Sequence, residues 1–298
     1  SEPVETTDNH GTAVAGLIAS SGWNHRGTRG VAPNGKFASA NFMSDSVTRT
    51  FAMMVDQASG SFDIFNQSWG SVQDTIDEID ASYLAQLSYG VTNYRSGRGA
   101  IYVKAAGNSF MLPVSRLADK IELGNANFDY TNSTPYTINV AALAAAETAA
   151  SYSSPGANIW IAAPGGEDGS SKPAMITTDR TGCSLGYAVS SSSSSLDFQK
   201  GNAGNINCKY TATFNGTSSA CPVTSGGIAL ILEANPTLTW RDVKYILATT
   251  ATQVEAAIAS FENPLYSNFP VTYADHRSPG AYVYEQGWVT NAANYKIS

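Results

Sequence analysis

Apolar residues fall in short bursts separated by polar, glycine-rich stretches. Residues 100–105 (AIYVKA), 136–143 (YTINVAAL) and the apolar centre of NIWIAAPGG have the length of strands and are bounded by glycine, proline or polar residues. Such runs suit parallel strands covered on both faces. Residues 62–70 (FDIFNQSWG) and 36–43 (KFASANFM) predict two further strands. Between these bursts the period becomes helical. The small, apolar segment 11–20 predicts a tightly packed helix that begins at His10. Residues 50–60 predict a second helix, and Ile76, Ile79, Tyr83 and Leu87 lie at the spacing of a third. Residues 239–251 predict an amphipathic helix with Thr239 at its N-cap and Asp242 in its first turn. The stretch FNGTSSACPVTSGGIALILEAN (214–235) predicts one more, capped by Thr217 or Ser218, with Pro222 in its first turn. Alternating strands and helices predict an α/β fold: a mostly parallel central sheet with helices on both faces, in a single domain.

Composition narrows the function. The chain has 298 residues, 43% of them hydrophobic, with 17 Lys and Arg against 24 Asp and Glu, a net charge of −7. No basic run or stripe is present, which argues against a nucleic-acid partner. No apolar run has membrane-spanning length, and residue 1 opens no secretory leader, so a targeting segment is expected outside this sequence. The three histidines, His10, His25 and His276, and the three cysteines lack metal-ligand spacing, so zinc is not expected. Cys183 and Cys208 bracket a polar, serine-rich stretch. A disulfide there would suit an exported protein, leaving Cys221 as a small buried thiol.

Candidate chemistry gathers at the ends of strands and the starts of helices, where sites of α/β sheets collect. Ser218 precedes an apolar helix among small residues, and a serine hydroxyl becomes a nucleophile only when a base takes its proton. His10, at the start of a helix, is the candidate base. Acyl transfer also needs a donor aimed at the developing oxyanion, and Asn108, just past a buried strand, carries a suitable amide. A competing reading, an esterase with GTSSA as nucleophile elbow and His276 as base, meets Ala220 where the elbow motif has glycine. A second competitor is a chain that only binds peptides.

Three ordered motifs, NHGTAVAG, AAGN and GTSSACP, resemble the histidine, oxyanion-asparagine and nucleophile blocks of the subtilisin-like serine proteases, the subtilases. NQSWGS, GRGAIYVKAAGN, LILEANPTLTWRDVKYIL and GWVTNAANYKIS are similar to the kexin/furin branch and its bacterial relatives. The resemblance implies a secreted serine endopeptidase acting on polypeptides. Ser218 would be its nucleophile, His10 its base and then acid, and Asn108 would hold the oxyanion together with the Ser218 N–H. Ser68, Trp69 and Gly70 would bind substrate. In the furin-like branch acidic residues line the pocket for Arg or Lys; here Gln73 lies near one such position, Asp129 is offset by one residue from another, and Ser154 stands where those relatives have Glu. A structural Ca²⁺ is expected in the loop after the His10 helix, held by the Asn24 side chain and the carbonyls of Ser21, Arg26 and Thr28. The family's catalytic Asp lies on a strand tens of residues before the histidine, and a closing strand follows the region that ends at Ser298. The resemblance therefore implies a segment incomplete at both ends, with a possible inhibitory pro-segment or N-terminal fragment as partner.

Overall fold

The structure, a computed structural model, describes residues 8–40, 51–71, 73, 76, 80–110, 124–194, 196–202 and 204–254, and the backbone of 289–290 and 296–297. Four strands, β1 (Ile64–Gln67), β2 (Ile101–Ala105), β3 (Thr137–Leu143) and β4 (Ile159–Pro164), pair in that order, all parallel. Every residue of β2 is buried. The apolar runs thus become the central strands, as a sheet covered on both faces requires.

Side chains alternate across this sheet. Asn66 points to one face, where its Oδ1 accepts from Ser225 Oγ (2.9 Å) and Cys221 Sγ (3.3 Å) on helix α4 (Thr217–Ala234). Its neighbours Phe65 and Gln67 point to the other. Phe65 stacks on Tyr102, and Gln67 Oε1 accepts from the Tyr83 hydroxyl of α3 (Ala81–Asn93) at 2.7 Å. Helix α2 (Phe51–Gln57) packs with α3, and Tyr102 donates to the Ala58 carbonyl just beyond α2. Helix α5 (Trp240–Thr250) carries a reciprocal capping box between Thr239 and Asp242, as its sequence predicts. Residues from both faces, including Tyr83, Leu87, Tyr102, Val140, Ile228 and Val243, form the main core.

A second, smaller unit stands beside the sheet. Strands β5 (Met175–Thr178) and β6 (Tyr210–Phe214) form an antiparallel pair that carries α1 (His10–Ala19). Thr177 and Thr178 donate their hydroxyls to the α1 carbonyls of Ala13 and Thr12, at 2.7 and 2.8 Å. Ala13, Val14, Leu17 and Phe214 form its core. The loop between β5 and β6 is closed by the Cys183–Cys208 disulfide, and Cys221 is a buried free thiol, both as expected. A short antiparallel pair joins β7 (Val289–Thr290) and β8 (Lys296–Ile297).

Several sequence expectations change. Residues 36–40 form no strand, and 41–43 lie outside the described residues; strand geometry needs a partner ladder, which 36–40 do not have. Helix α3 starts at Ala81 because the Asp80 carboxylate accepts the Tyr83 N–H at 2.6 Å, and Ile76 lies outside it, 78% exposed. The N-cap of α4 is Gly216, not Thr217 or Ser218, and Pro222 therefore falls in the second turn.

Candidate active site

Pro222 removes a backbone donor from α4, and the carbonyl it would have served, that of Ser218, needs another partner. Ser68 supplies it: its hydroxyl donates to Ser218 O at 3.1 Å. The Ser218 hydroxyl in turn donates to the Ser68 carbonyl at 3.4 Å. The end of β1 is thus tied to the second residue of α4, and Ser218 stands half-buried at a helix N-terminus whose free N–H groups favour negative charge.

Asn108 reaches the same helix end from the loop after β2. Its Oδ1 accepts the Thr217 N–H at 2.8 Å and the Thr217 hydroxyl at 2.9 Å. A long-range side chain therefore provides the cap that the local sequence was expected to provide. With Oδ1 held by Thr217, the amide orientation is set and Nδ2 remains as a donor. Gly216 is essential to this junction. Its φ of 98° is unsuited to an L side chain, and a Cβ there would stand 3.1 Å from Asn108 Nδ2. The Gly216 N–H is held by the Tyr152 hydroxyl at 2.8 Å. Asn108 and Ser218 line one cleft, about 180 Å³ in volume, together with Trp69, Gly70, Ser71, Ala105, Gly107, Ser109 and Thr217.

His10 opens α1, with its ring edge-on to Phe214 at 5.5 Å between centroids. Phe214 ends β6, four residues before Ser218, so β6 connects the two. Burial lowers the His10 pKa from its ordinary value, so the imidazole is neutral at pH 7. No hydrogen bond joins it to Ser218 among the described residues; Asn108 and Ser218 are brought together by hydrogen bonds, while His10 is placed by the packing of α1 on α4 and on the β5–β6 pair.

Asp129 lies beneath the cleft and not in it. The carboxylate is fully buried, with Oδ2 accepting the Ser71 N–H at 3.0 Å and Oδ1 the Thr131 N–H at 2.9 Å. Gln73 is also buried, donating to the Ala106 carbonyl at 2.6 Å, and Ser154 donates no charge, its hydroxyl accepting the Ser109 N–H at 2.9 Å. Thr217 serves here as the anchor of Asn108 and not as the expected cap, while Tyr152 and Lys104 stand outside the three ordered motifs. A lysine inside a run that otherwise reads as buried strand was the one available signal.

In the loop expected to bind calcium, Ser21, Asn24 and Arg26 are exposed and Thr28 is half-buried. Asn24 Oδ1 already accepts the Arg26 N–H at 3.0 Å. Four neutral oxygens, one of them engaged, fall short of the roughly six to eight that Ca²⁺ takes. Among the described residues no group of three His, Cys, Asp or Glu side chains forms a metal site. The four named residues do not by themselves complete the site. His276 lies outside the described residues, and no helix among them is long and apolar enough to cross a membrane.

Comparison with known proteins gives this arrangement its family. The model of the subtilase family matches residues 1–287. The extracellular serine protease of Aeromonas sobria is 35% identical over 312 residues, covering 99% of this chain and 48% of that protein. Kexin of Saccharomyces cerevisiae is 32% identical, with 85% of this chain and 27% of kexin covered. A calcium-dependent protease of Trichormus variabilis is 33% identical over 83% of this chain and 36% of its own length. A solved structure of an Aeromonas sobria serine protease in complex with a chaperone matches with a TM-score of 0.77 at 35% identity, over 85% of this chain and 45% of that one. The chain thus spans about half the length of the Aeromonas protein or less of the others. The fold is subtilisin-like, and the chain belongs to the subtilase family.

Proposed function

We propose that the protein is a serine endopeptidase. The observation that carries this reading is the junction at the start of α4, where Ser218 and the Asn108 amide face one cleft and Asn108 Oδ1 is pinned by Thr217. Ser218 Oγ attacks the scissile carbonyl as His10 takes its proton. The oxyanion forms between Asn108 Nδ2 and the Ser218 N–H, both fixed before the reaction, which is what makes such donors effective. His10 then protonates the leaving amine, and water enters by the reverse path to release the acyl group. Ser68, Trp69 and Gly70 form the wall that holds the substrate chain. In this arrangement Ser218 Oγ leaves its contact with the Ser68 carbonyl for His10, a hydrogen bond of a kind that often tightens only when substrate binds.

A preference for basic residues would need a carboxylate open to the cleft. Among the described residues the candidate carboxylate, Asp129, is buried beneath it. The disulfide and the extracellular relative support a place outside the cytoplasm. By analogy with the Aeromonas complex, the partners include a chaperone or pro-segment besides polypeptide substrates. A calcium ion at the loop from Ser21 to Thr28 would draw further ligands from elsewhere and act on stability; loss of thermal stability in EDTA, reversed by Ca²⁺, tests it. The second reading, a domain that binds peptides without cutting them, draws on the absence of a His10–Ser218 bond. Labelling of the full-length protein with a fluorophosphonate separates the two: Ser218 is modified if the site assembles, and an unlabelled, folded protein leaves only the binding reading.

A further inference from the structure

The two oxyanion donors are held differently. Asn108 is pinned through its own side chain. The Ser218 N–H is backbone, so its aim is set by the peptide planes on either side of it. The N–H groups around it all have partners. Thr217 donates to Asn108 at 2.8 Å, and Ser219 and Ala220 donate back to the Gly216 carbonyl at 2.9 and 3.4 Å. The first N–H of the series, that of Gly216, goes to the Tyr152 hydroxyl at 2.8 Å.

That hydroxyl belongs to a cradle behind the start of α4. Three consecutive carbonyls in the loop after β4 serve it. Gly165 O accepts the Ser219 hydroxyl at 2.8 Å, Gly166 O accepts the Tyr152 hydroxyl at 2.7 Å, and Glu167 O accepts the Asn215 amide at 2.6 Å. Tyr152 thus relays the middle carbonyl to Gly216, using its hydroxyl once as donor and once as acceptor. The residue before it is locked as well. The buried Glu167 carboxylate accepts both the Ser151 N–H and the Ser151 hydroxyl, each at 2.8 Å. Burial pushes the Tyr152 phenol up to about 12, so its hydroxyl keeps its proton and both bonds near neutral pH. Gly216 is where such support matters most. It is buried, and as a glycine at a φ of 98° it turns more freely than any other residue. A buried N–H that loses its acceptor turns to find another. A turn at Gly216 re-aims the planes that follow it, the one carrying the Ser218 N–H among them.

We propose that Tyr152, backed by Glu167, is a positioning residue for the peptidase reaction: it fixes the turn at Gly216 so that the Ser218 N–H points at the oxyanion. The assignment rests on the peptidase reading and deepens it. The Tyr152 hydroxyl acts through Gly216 and exchanges no proton with the substrate.

The test is Tyr152→Phe in the full-length protein, which keeps the ring and removes the relay. kcat is expected to fall about ten- to 10²-fold with KM little changed, because substrate still binds while one donor is misaimed. A peptidyl trifluoromethyl ketone, to which Ser218 Oγ adds while His10 takes its proton, leaves its oxygen negative in the same place. It should bind more weakly by a similar factor, and a peptide with an uncleavable bond should bind as before. The pH profile should stay that of the parent, because no group that titrates in the working range is lost. Glu167→Gln keeps one acceptor for Ser151, so it should lower kcat less than Glu167→Ala does. A merely structural role would lower the melting temperature and leave kcat and the ketone affinity of the folded variant unchanged. That result overturns the assignment, as does a shifted pH profile or a rise in KM alone. Should Tyr152→Phe fail to fold, the two Glu167 variants give the same comparison. With an active parent, these failures sink the positioning role alone. A parent that neither cleaves peptides nor takes up a fluorophosphonate overturns the peptidase reading, and the assignment with it.

Discussion

The two sides of the proposed active site are built differently. Ser218 and Asn108 belong to the main sheet and are joined by hydrogen bonds between named partners: Ser68 to the Ser218 carbonyl, Thr217 to Asn108, Tyr152 to Gly216. His10 opens α1, which is placed by packing against α4 and the β5–β6 pair, with the His10 ring against Phe214. The nucleophile side is fixed bond by bond. The base side is placed by a surface, so a small displacement of that surface changes the chemistry while leaving the cleft intact. Substitutions on the two sides should therefore have different signatures.

The largest effect should come from Ser218→Ala, which removes the nucleophile and is expected to cut kcat by about 10⁶-fold in the full-length protein. The Ser218 hydroxyl makes a single 3.4 Å contact, so the melting temperature should hardly move. Parent-like rates in the variant would end the assignment. Asn108 comes next and carries two jobs that can be separated. Asn108→Ala should lower kcat about 10²–10³-fold by losing an oxyanion donor. It should also lower stability by about 1 kcal/mol, because the Thr217 N–H and hydroxyl lose their acceptor. Asn108→Asp keeps the acceptor and loses the donor, so kinetics should suffer while the melt recovers. If Asp and Ala melt alike, Asn108 does not cap α4.

The base side should respond to its supports. Replacing Cys183 and Cys208 together by serine opens a loop with a sequence separation of 25, for which chain entropy gives a loss of about 3 kcal/mol in thermal or denaturant unfolding. Gly16→Ala is more local. A Cβ at Gly16 would stand 2.1 Å from Thr178 Oγ1 and 2.8 Å from the Thr178 backbone N, so α1 must shift off β5. A cost of about 1–3 kcal/mol is expected, with kcat falling more than KM changes, because His10 moves and the cleft does not. A rise in KM with kcat unchanged would show that the two sides are not separate.

Legibility in the sequence followed the same division. The central strands were readable because fully buried parallel strands are short apolar runs with clear borders, and Asn108 follows one of them, β2; Ser218 follows β6 instead, and only the small residues ahead of an apolar helix marked it. The β5–β6 pair was missed. MITT and YTATF are threonine-rich, and their pairing spans a long serine-rich loop, so no local period announces it. Residues 36–40 show the opposite error, alternation without a neighbouring strand to pair with. The cap of α4 was misplaced because its acceptor is Asn108, far away in sequence. Asp129 was expected near the substrate, yet its side chain turns under the wall to Ser71, Thr131 and Lys104. Side-chain direction after a strand end depends on contacts that sequence spacing does not carry.

The smallest effect, and the one that most sharpens the contrast, is the pH dependence that His10 contributes. Burial lowers its pKa below the ordinary 6.5 that it has when unfolded. Just below pH 6.5 the unfolded chain then holds a proton that the folded chain resists. The stability His10 contributes is full above 6.5 and is lost as pH falls through the lowered folded value. Melting curves at pH 7.5 and 5.5 for the parent and for His10→Gln should therefore show the parent losing more on acidification than the variant. A carboxylate bonded to the imidazole would reverse the sign. The pair would hold the proton to higher pH, and the stability from His10 would be lost as pH rises through a raised value. A parent that gains on acidification relative to His10→Gln would thus show the base fixed by a hydrogen-bonded partner, as the nucleophile already is, and the difference between the two sides would disappear.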